Sequence, residues 1–192
     1  MRFEVRREFL LKEKLFSIRD IVRIMDPEEN IIGNFVRKIL SIRAFYRLKD
    51  LDERTILIIR KKIASIRSAY KFFEPNEEDE PDENKYLGKM VRKIVTIKPK
   101  YWIENPLGDR IFNMKGNIWN LKYSIYREGT EVARISKKFW RIRDTYGVKI
   151  VKDVDDKTAM MLLAIVIALQ HEKEEAEERR RQQLRNQSFH GT

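Results

Sequence analysis

Apolar and polar residues alternate with period two along most of this chain, in short runs that keep one phase. Val22 and Ile24 fall on one side with Arg23 opposite. Tyr46 and Leu48 flank Arg47, and Tyr70 and Phe72 flank Lys71. Tyr101 and Ile103, Tyr123 and Ile125, and Tyr146, Val148 and Ile150 continue the series. Such alternation is the mark of strands with one buried face. The runs belong to a repeat. "EKLFSIRDIVRIMDP", "RKILSIRAFYRLKDL", "KKIASIRSAYKFFEP", "RKIVTIKPKYWIENP", the divergent "KGNIWNLKYSIYREG" and "KKFWRIRDTYGVKIV" align as basic-basic-apolar-x-Ser-Ile-Arg, then Tyr-x-apolar. Turn-forming "DPEEN", "LDER", "NPLGD" and "REGT" separate them. Two strands in each of six copies predict about twelve strands in up-and-down order.

One segment breaks the alternation. From Ala159 to Leu169 every residue is apolar, with Asp153, Asp155, Asp156 and Lys157 before it and Glu172, Lys173 and Glu174 after it. A run of 10–14 apolar residues is too short to span a bilayer and reads as a buried helix. A helix apolar on every side must be surrounded. Twelve strands about 4.8 Å apart and tilted about 40° close into a cylinder roughly 24 Å across, which holds one helix. The expected fold is therefore mainly β (α+β): a twelve-stranded antiparallel up-and-down β-barrel enclosing a hydrophobic C-terminal α-helix. The barrel domain is expected over residues 1–172, with the helix at about 156–172. Asp155 or Asp156 would cap the helix, which accounts for the carboxylates ahead of it without a metal.

Composition adds charge to this picture. Among 192 residues the net charge is +11 and the pI about 9.8. A balance so basic favours anionic partners, whether nucleic acid, lipid headgroups or acidic protein. "EPNEEDEPDEN", Glu74–Asn84, carries seven acidic residues and no base and reads as an acidic loop insertion. The tail 173–192 reads as charged helix or disordered chain, with Glu175 and Arg179 placed to pair. There is no Cys, so disulfides, thiolate metal sites and thiol nucleophiles are excluded. The start of the chain has no apolar core of a signal peptide, and a cytoplasmic protein is expected. No catalytic motif and no cofactor fingerprint is present, so neither an enzyme nor a cofactor is expected.

The candidate anion-binding residues are those that recur at the bends. Arg19, Arg43, Arg67, Lys98 and Arg143 follow the Ser-Ile pair or its equivalent. The pairs Lys61-Lys62 and Lys137-Lys138 precede it, as do Arg37-Lys38 and Arg92-Lys93. In an up-and-down barrel equivalent positions of successive hairpins share one rim or belt, where such cations would meet phosphates. Spread evenly, the same charges would only solvate the wall and block edge pairing. Trp102 alternates with inward Tyr101 and Ile103, which puts it on the outer wall. It, Trp119 and Trp140 read more readily as wall or mouth residues than as stacking platforms.

The stretches "KEKLFSIRDIVRIMD", "VRKILSIRAFYRLKDL", "ISKKFWRIRDTYGVKIV" and "AMMLLAIVIALQH" resemble the LURP-one-related family. That family is grouped with the Tubby C-terminal-like domains and the phospholipid scramblases. The resemblance spans about residues 7–171. Its most specific part is Arg143-Asp144-Thr145-Tyr146 followed closely by the apolar helix. It implies a barrel of twelve strands around a hydrophobic helix, as the alternation does. It also implies a binding domain for anionic phospholipid or phosphoinositide headgroups, peripheral to the inner membrane face and not spanning it. A nucleic-acid or protein-interaction module using the same basic surface is the alternative. The Pro-rich N-terminus and lipid-bearing cysteines of scramblases are missing.

Overall fold

The computed structural model describes residues 8–13, 21–38, 44–62, 69–93, 100–136, 145–151 and 154–189. The strands are β1 (Glu8–Glu13), β2 (Ile21–Met25), β3 (Ile31–Arg37), β4 (Phe45–Lys49), β5 (Thr55–Lys62) and β6 (Ala69–Pro75). They continue as β7 (Pro81–Arg92), β8 (Tyr101–Glu104), β9 (Arg110–Asn117), β10 (Lys122–Arg127), β11 (Thr130–Ser136) and β12 (Thr145–Ile150). Each pairs antiparallel with its neighbours in sequence, and β12 returns to β1 with Leu11 opposite Tyr146. The barrel is closed, so no strand edge is left open among the described residues.

The alternation sets the inward face. Tyr46 lies opposite Ile59 and Leu48 opposite Leu57, while Met90 lies opposite Tyr70 on one side and Ile103 on the other. All are buried in one core cluster. Helix α1 (Asp156–Phe189) runs through it, and Met161 to Leu169 are 0–5 % exposed. Asp155 caps the helix: its carboxylate accepts from the Thr158 backbone N–H at 2.9 Å and hydroxyl at 2.6 Å. The helix does not stop at 172 but continues to Phe189.

At the end where the helix enters, four hairpin turns share one construction. Asp26, Asp50, Asn76 and Asn105 each accept, through a side-chain oxygen, the backbone N–H four residues on, at 2.8–3.0 Å. The residue before that N–H is left-handed in each turn: Glu29, Glu53, Asp79 and Gly108. Asp and Asn recur at the turn start because their short side chains close this loop.

The acidic segment differs from the loop expected of it. Only Asn76–Glu80 form a turn, and Pro81–Asn84 belong to β7. The hairpin arches over the outer wall of β4 and β5. Arg47 donates to the Asp79 carbonyl at 2.9 Å and pairs with Glu80 at 2.9 Å, Thr55 donates to Asp79 at 2.9 Å, and Arg60 pairs with Glu83. Phe45, Ile58 and Phe73 form a second, small core beneath it, with Arg60 4.7 Å from the Phe73 ring centre. Gly88 permits the arch. Its φ is +138°, and a Cβ there would lie 2.4 Å from the Glu104 carbonyl oxygen.

Candidate functional site

The two ends of the barrel differ in charge. The turns Asp26–Asn30, Asp50–Arg54, Asn76–Glu80, Asn105–Asp109 and Glu128–Gly129 carry three, three, four, one and one carboxylates and a single base, Arg54, and the strand ends beside them add Lys49, Arg110 and Arg127. At the opposite end the strands terminate in Arg37, Lys62, Arg92 and Lys122, continued by Lys38, Lys93 and Lys100. Lys38, Lys62, Lys93, Lys100 and Lys122 are exposed. The expected sites Arg19, Arg43, Arg67, Lys98, Arg143, Lys137 and Lys138 lie outside the described residues, in segments whose flanking strand ends belong to this basic end.

Of the expected pair Lys61-Lys62, Lys62 faces solvent and Lys61 does not. The Lys61 side chain is 14 % exposed and its ammonium pairs with Glu175 and, at 3.8 Å, with Glu172. It is thus held by the helix, beneath the rim.

Just inside that rim lies a polar layer that the alternation contained but did not reveal. Tyr46, Tyr70, Tyr101, Tyr123 and Tyr146 begin, or stand second in, the even strands from β4 to β12, and all are buried. The repeat's Tyr therefore forms a belt at one level of the barrel. The helix places Gln170, His171 and Glu172 at that level, all under 8 % exposed. The Tyr70 hydroxyl lies 2.8 Å from His171 Nδ1 and donates to Glu172 Oε1 at 3.1 Å. Glu172 Oε2 accepts from Arg92 at 3.1 Å and from the Tyr101 hydroxyl at 3.4 Å. Tyr46 and Tyr70 meet the His171 ring edge to face, with centroids 6.2 and 5.9 Å away. The Tyr123 hydroxyl has no hydrogen-bond partner among the described residues.

This layer perturbs its groups. Burial, and next the charge of Lys61, hold His171 down at about 4. The imidazole is therefore neutral at pH 7. Burial and the nearby Glu172 carboxylate push the hydroxyls of Tyr70, Tyr101 and Tyr123 up. Burial works to raise the Glu175 carboxyl, but the Lys61 hydrogen bond and charge outweigh it and leave it below the usual range. Tyr70 and Tyr101 are thus held as donors to Glu172, and the layer is a lock between wall and helix. The sign that would have found it is the run of inward tyrosines at one strand position beside a helix whose apolar run gives way to Gln170, His171 and Glu172.

Beyond the lock the helix emerges. Residues 173–177 are half-buried and 178–187 exposed, with Arg179 paired to Glu175 at 3.4 Å as its spacing predicts. The projecting part presents Arg179, Arg180 and Arg181. Among the described residues no helix is long and apolar enough to cross a membrane, and no three His, Asp or Glu side chains are grouped to hold a metal.

The model of the LURP-one-related family matches residues 7–169. The chain belongs to the LURP-one-related family. This LURP-one-related barrel is similar in fold to the crystal structure of a protein from Arabidopsis thaliana, with a TM-score of 0.57 and 14 % identity, over 86 % of this chain and 91 % of that one. No curated protein matches it. In this LURP-one-related chain the family match ends at Leu169, so the lock residues His171 and Glu172 and the projecting helix lie just past it.

Proposed function

We propose that this protein is a non-enzymatic binding domain whose basic rim takes the phosphates of anionic phospholipid headgroups, phosphoinositides among them. The observation that carries the reading is the uneven charge along the barrel axis: lysines and arginines at the strand ends around the helix exit, where Lys38 alone of the exposed lysines named is paired among the described residues, to Glu80 of the acidic hairpin, and carboxylates at the turns of the other end. A dipolar barrel of this kind turns its basic end towards a negative surface, and each Lys or Arg near such a surface contributes about 1 kcal/mol. Arg19, Arg43, Arg67, Lys98, Arg143, Lys137 and Lys138 extend the same rim in this reading. Lys61, paired with Glu175, supports the rim from within.

The projecting helix sets how such a surface is met. Residues 178–189 rise about 1.5 Å each, roughly 18 Å in all. A flat bilayer touches the Arg179–Arg181 turn and one side of the rim together, with the barrel tilted. The protein would then be peripheral, at the cytoplasmic face. One observation favours a second reading. Arg179–Arg181 and the rim lysines are all exposed, and a nucleic-acid backbone would find cations on both.

Flotation with neutral vesicles, with vesicles carrying phosphatidylserine and with vesicles carrying a phosphoinositide, beside RNA and DNA at matched salt, separates these readings. Binding to the anionic vesicles that weakens as salt rises supports the first. Absence of vesicle binding at low salt would sink it.

A further inference from the structure

We propose that Trp119 is the interfacial anchor of the basic rim, its indole entering the boundary between headgroups and acyl chains when the rim meets an anionic bilayer. The inference deepens the headgroup reading above and rests on it. Its basis is the turn Ile118–Leu121 between β9 and β10, at the basic end. Ile118 and Leu121 are 2 and 0 % exposed and belong to the barrel core, whereas Trp119, between them, is 45 % exposed. The backbone is pinned in this form. The Trp119 N–H donates to Asn117 Oδ1 at 2.8 Å and the Leu121 N–H to the Ile118 carbonyl at 3.2 Å. Leu121 holds φ at +43°, a left-handed conformation that a non-glycine residue keeps only where its surroundings enforce it. The enforced conformation seats two aliphatic side chains in the mouth and leaves the largest side chain of the turn outside, next to exposed Asn120 and Lys122.

Core packing does not explain an aromatic displayed in this way beside Lys122. An indole beside cations fits the headgroup zone of a bilayer, where its apolar body and N–H are both satisfied. Trp102 shows the contrast. It lies on the wall, its Nε1–H donates to Glu104 at 2.6 Å and Arg110 stacks 4.4 Å from its ring. It has its partners already, while Trp119 is presented from a rigid turn at the end where the charge would bring the membrane.

The full-length chain carrying W102F and W140F leaves Trp119 as the sole indole. On vesicles of phosphatidylcholine with phosphatidylserine, its emission should shift to the blue and lose quenching by iodide, with neutral vesicles giving neither. In the otherwise native chain W119F should abolish most of the vesicle-induced shift, and W119A should weaken flotation about tenfold with an unchanged far-UV spectrum. Vesicle binding with an unshifted Trp119, or W119A floating like the native chain, overturns the anchor and leaves the headgroup reading standing. No flotation by the native chain overturns both. A Trp119 response to single-stranded RNA and not to vesicles overturns the anchor in favour of base stacking.

Discussion

Glu172→Ala removes a wholly buried carboxylate from the lock between helix and wall. Two hydrogen bonds of ordinary length are lost, from Tyr70 and Arg92 at 3.1 Å each, and a long one from Tyr101 at 3.4 Å. A hydrogen bond to a charged group contributes about 1.5–3 kcal/mol, so the gross loss is on the order of 3–6 kcal/mol. Three facts reduce it. Arg92 is 34 % exposed and can be rehydrated, Tyr70 keeps His171, and Lys61 keeps Glu175. A net loss of about 2–4 kcal/mol remains, at the low end of what breaking a buried pair produces. Urea unfolding at pH 7, followed by circular dichroism, should show the midpoint falling by about 1–2 M with an unchanged slope. Glu172→Gln, which keeps the volume and one acceptor, should lose about half as much. A double-mutant cycle with Arg92→Ala should give a coupling of at least about 1 kcal/mol. A loss below 1 kcal/mol for Glu172→Ala, or strict additivity in the cycle, would refute the lock.

Acid should act through His171. Its pKa is about 4 in the fold against 6.5 ordinarily, so the unfolded chain takes up the proton first. The corresponding stability is fully present above pH 6.5 and is lost as pH falls towards 4, by up to about 3 kcal/mol. Urea midpoints at pH 7, 5.5 and 4.5 should therefore fall more steeply for the native chain than for His171→Gln; parallel slopes would contradict the assignment. Gly88→Ala places a methyl 2.4 Å from a carbonyl oxygen in a left-handed conformation, and a loss of at least about 2 kcal/mol should appear as a lowered melting temperature. Ala164→Asp puts an unpaired carboxylate at the centre of the barrel, where Ala164 is 0 % exposed, and should yield no folded monomer by circular dichroism and gel filtration. A folded, soluble Ala164→Asp would remove the helix from the core.

The fold was largely legible because its two devices are periodic. Val22, Tyr46, Tyr70, Tyr101, Tyr123 and Tyr146 repeat one inward phase, and the unbroken run from Ala159 to Leu169 has only one use in a closed sheet. The acidic hairpin was less legible. Its seven carboxylates suggest solvated loop, yet Glu80 finds Lys38 and Arg47, and Glu83 finds Arg60, across strands 23 to 42 residues away in sequence. The polar lock was hidden for the same reason. Lys61 and Glu175 are 114 positions apart, and although Lys61 shares the parity of inward Leu57 and Ile59, nothing local shows what it meets inside. Alternation assigns a residue to a face; what meets it there is decided by closure.

The pairing of β1 with β12 has a consequence in time. The strand made first has no permanent neighbour on one side until the strand made last arrives, and the core filler follows that strand. Roughly 160 residues separate Glu13 from Glu172, which at 5–20 residues per second is roughly 8–30 s of synthesis. During that interval a growing sheet has one open edge and an apolar concave face with nothing in it, the kind of surface that chaperones hold and that other nascent chains can join. Until the helix is made the barrel has nothing to close around, so its synthesis sets the earliest time at which the last seam and the core can be completed together. Slowing translation ahead of Asp156 would lengthen the exposed interval without touching the sequence.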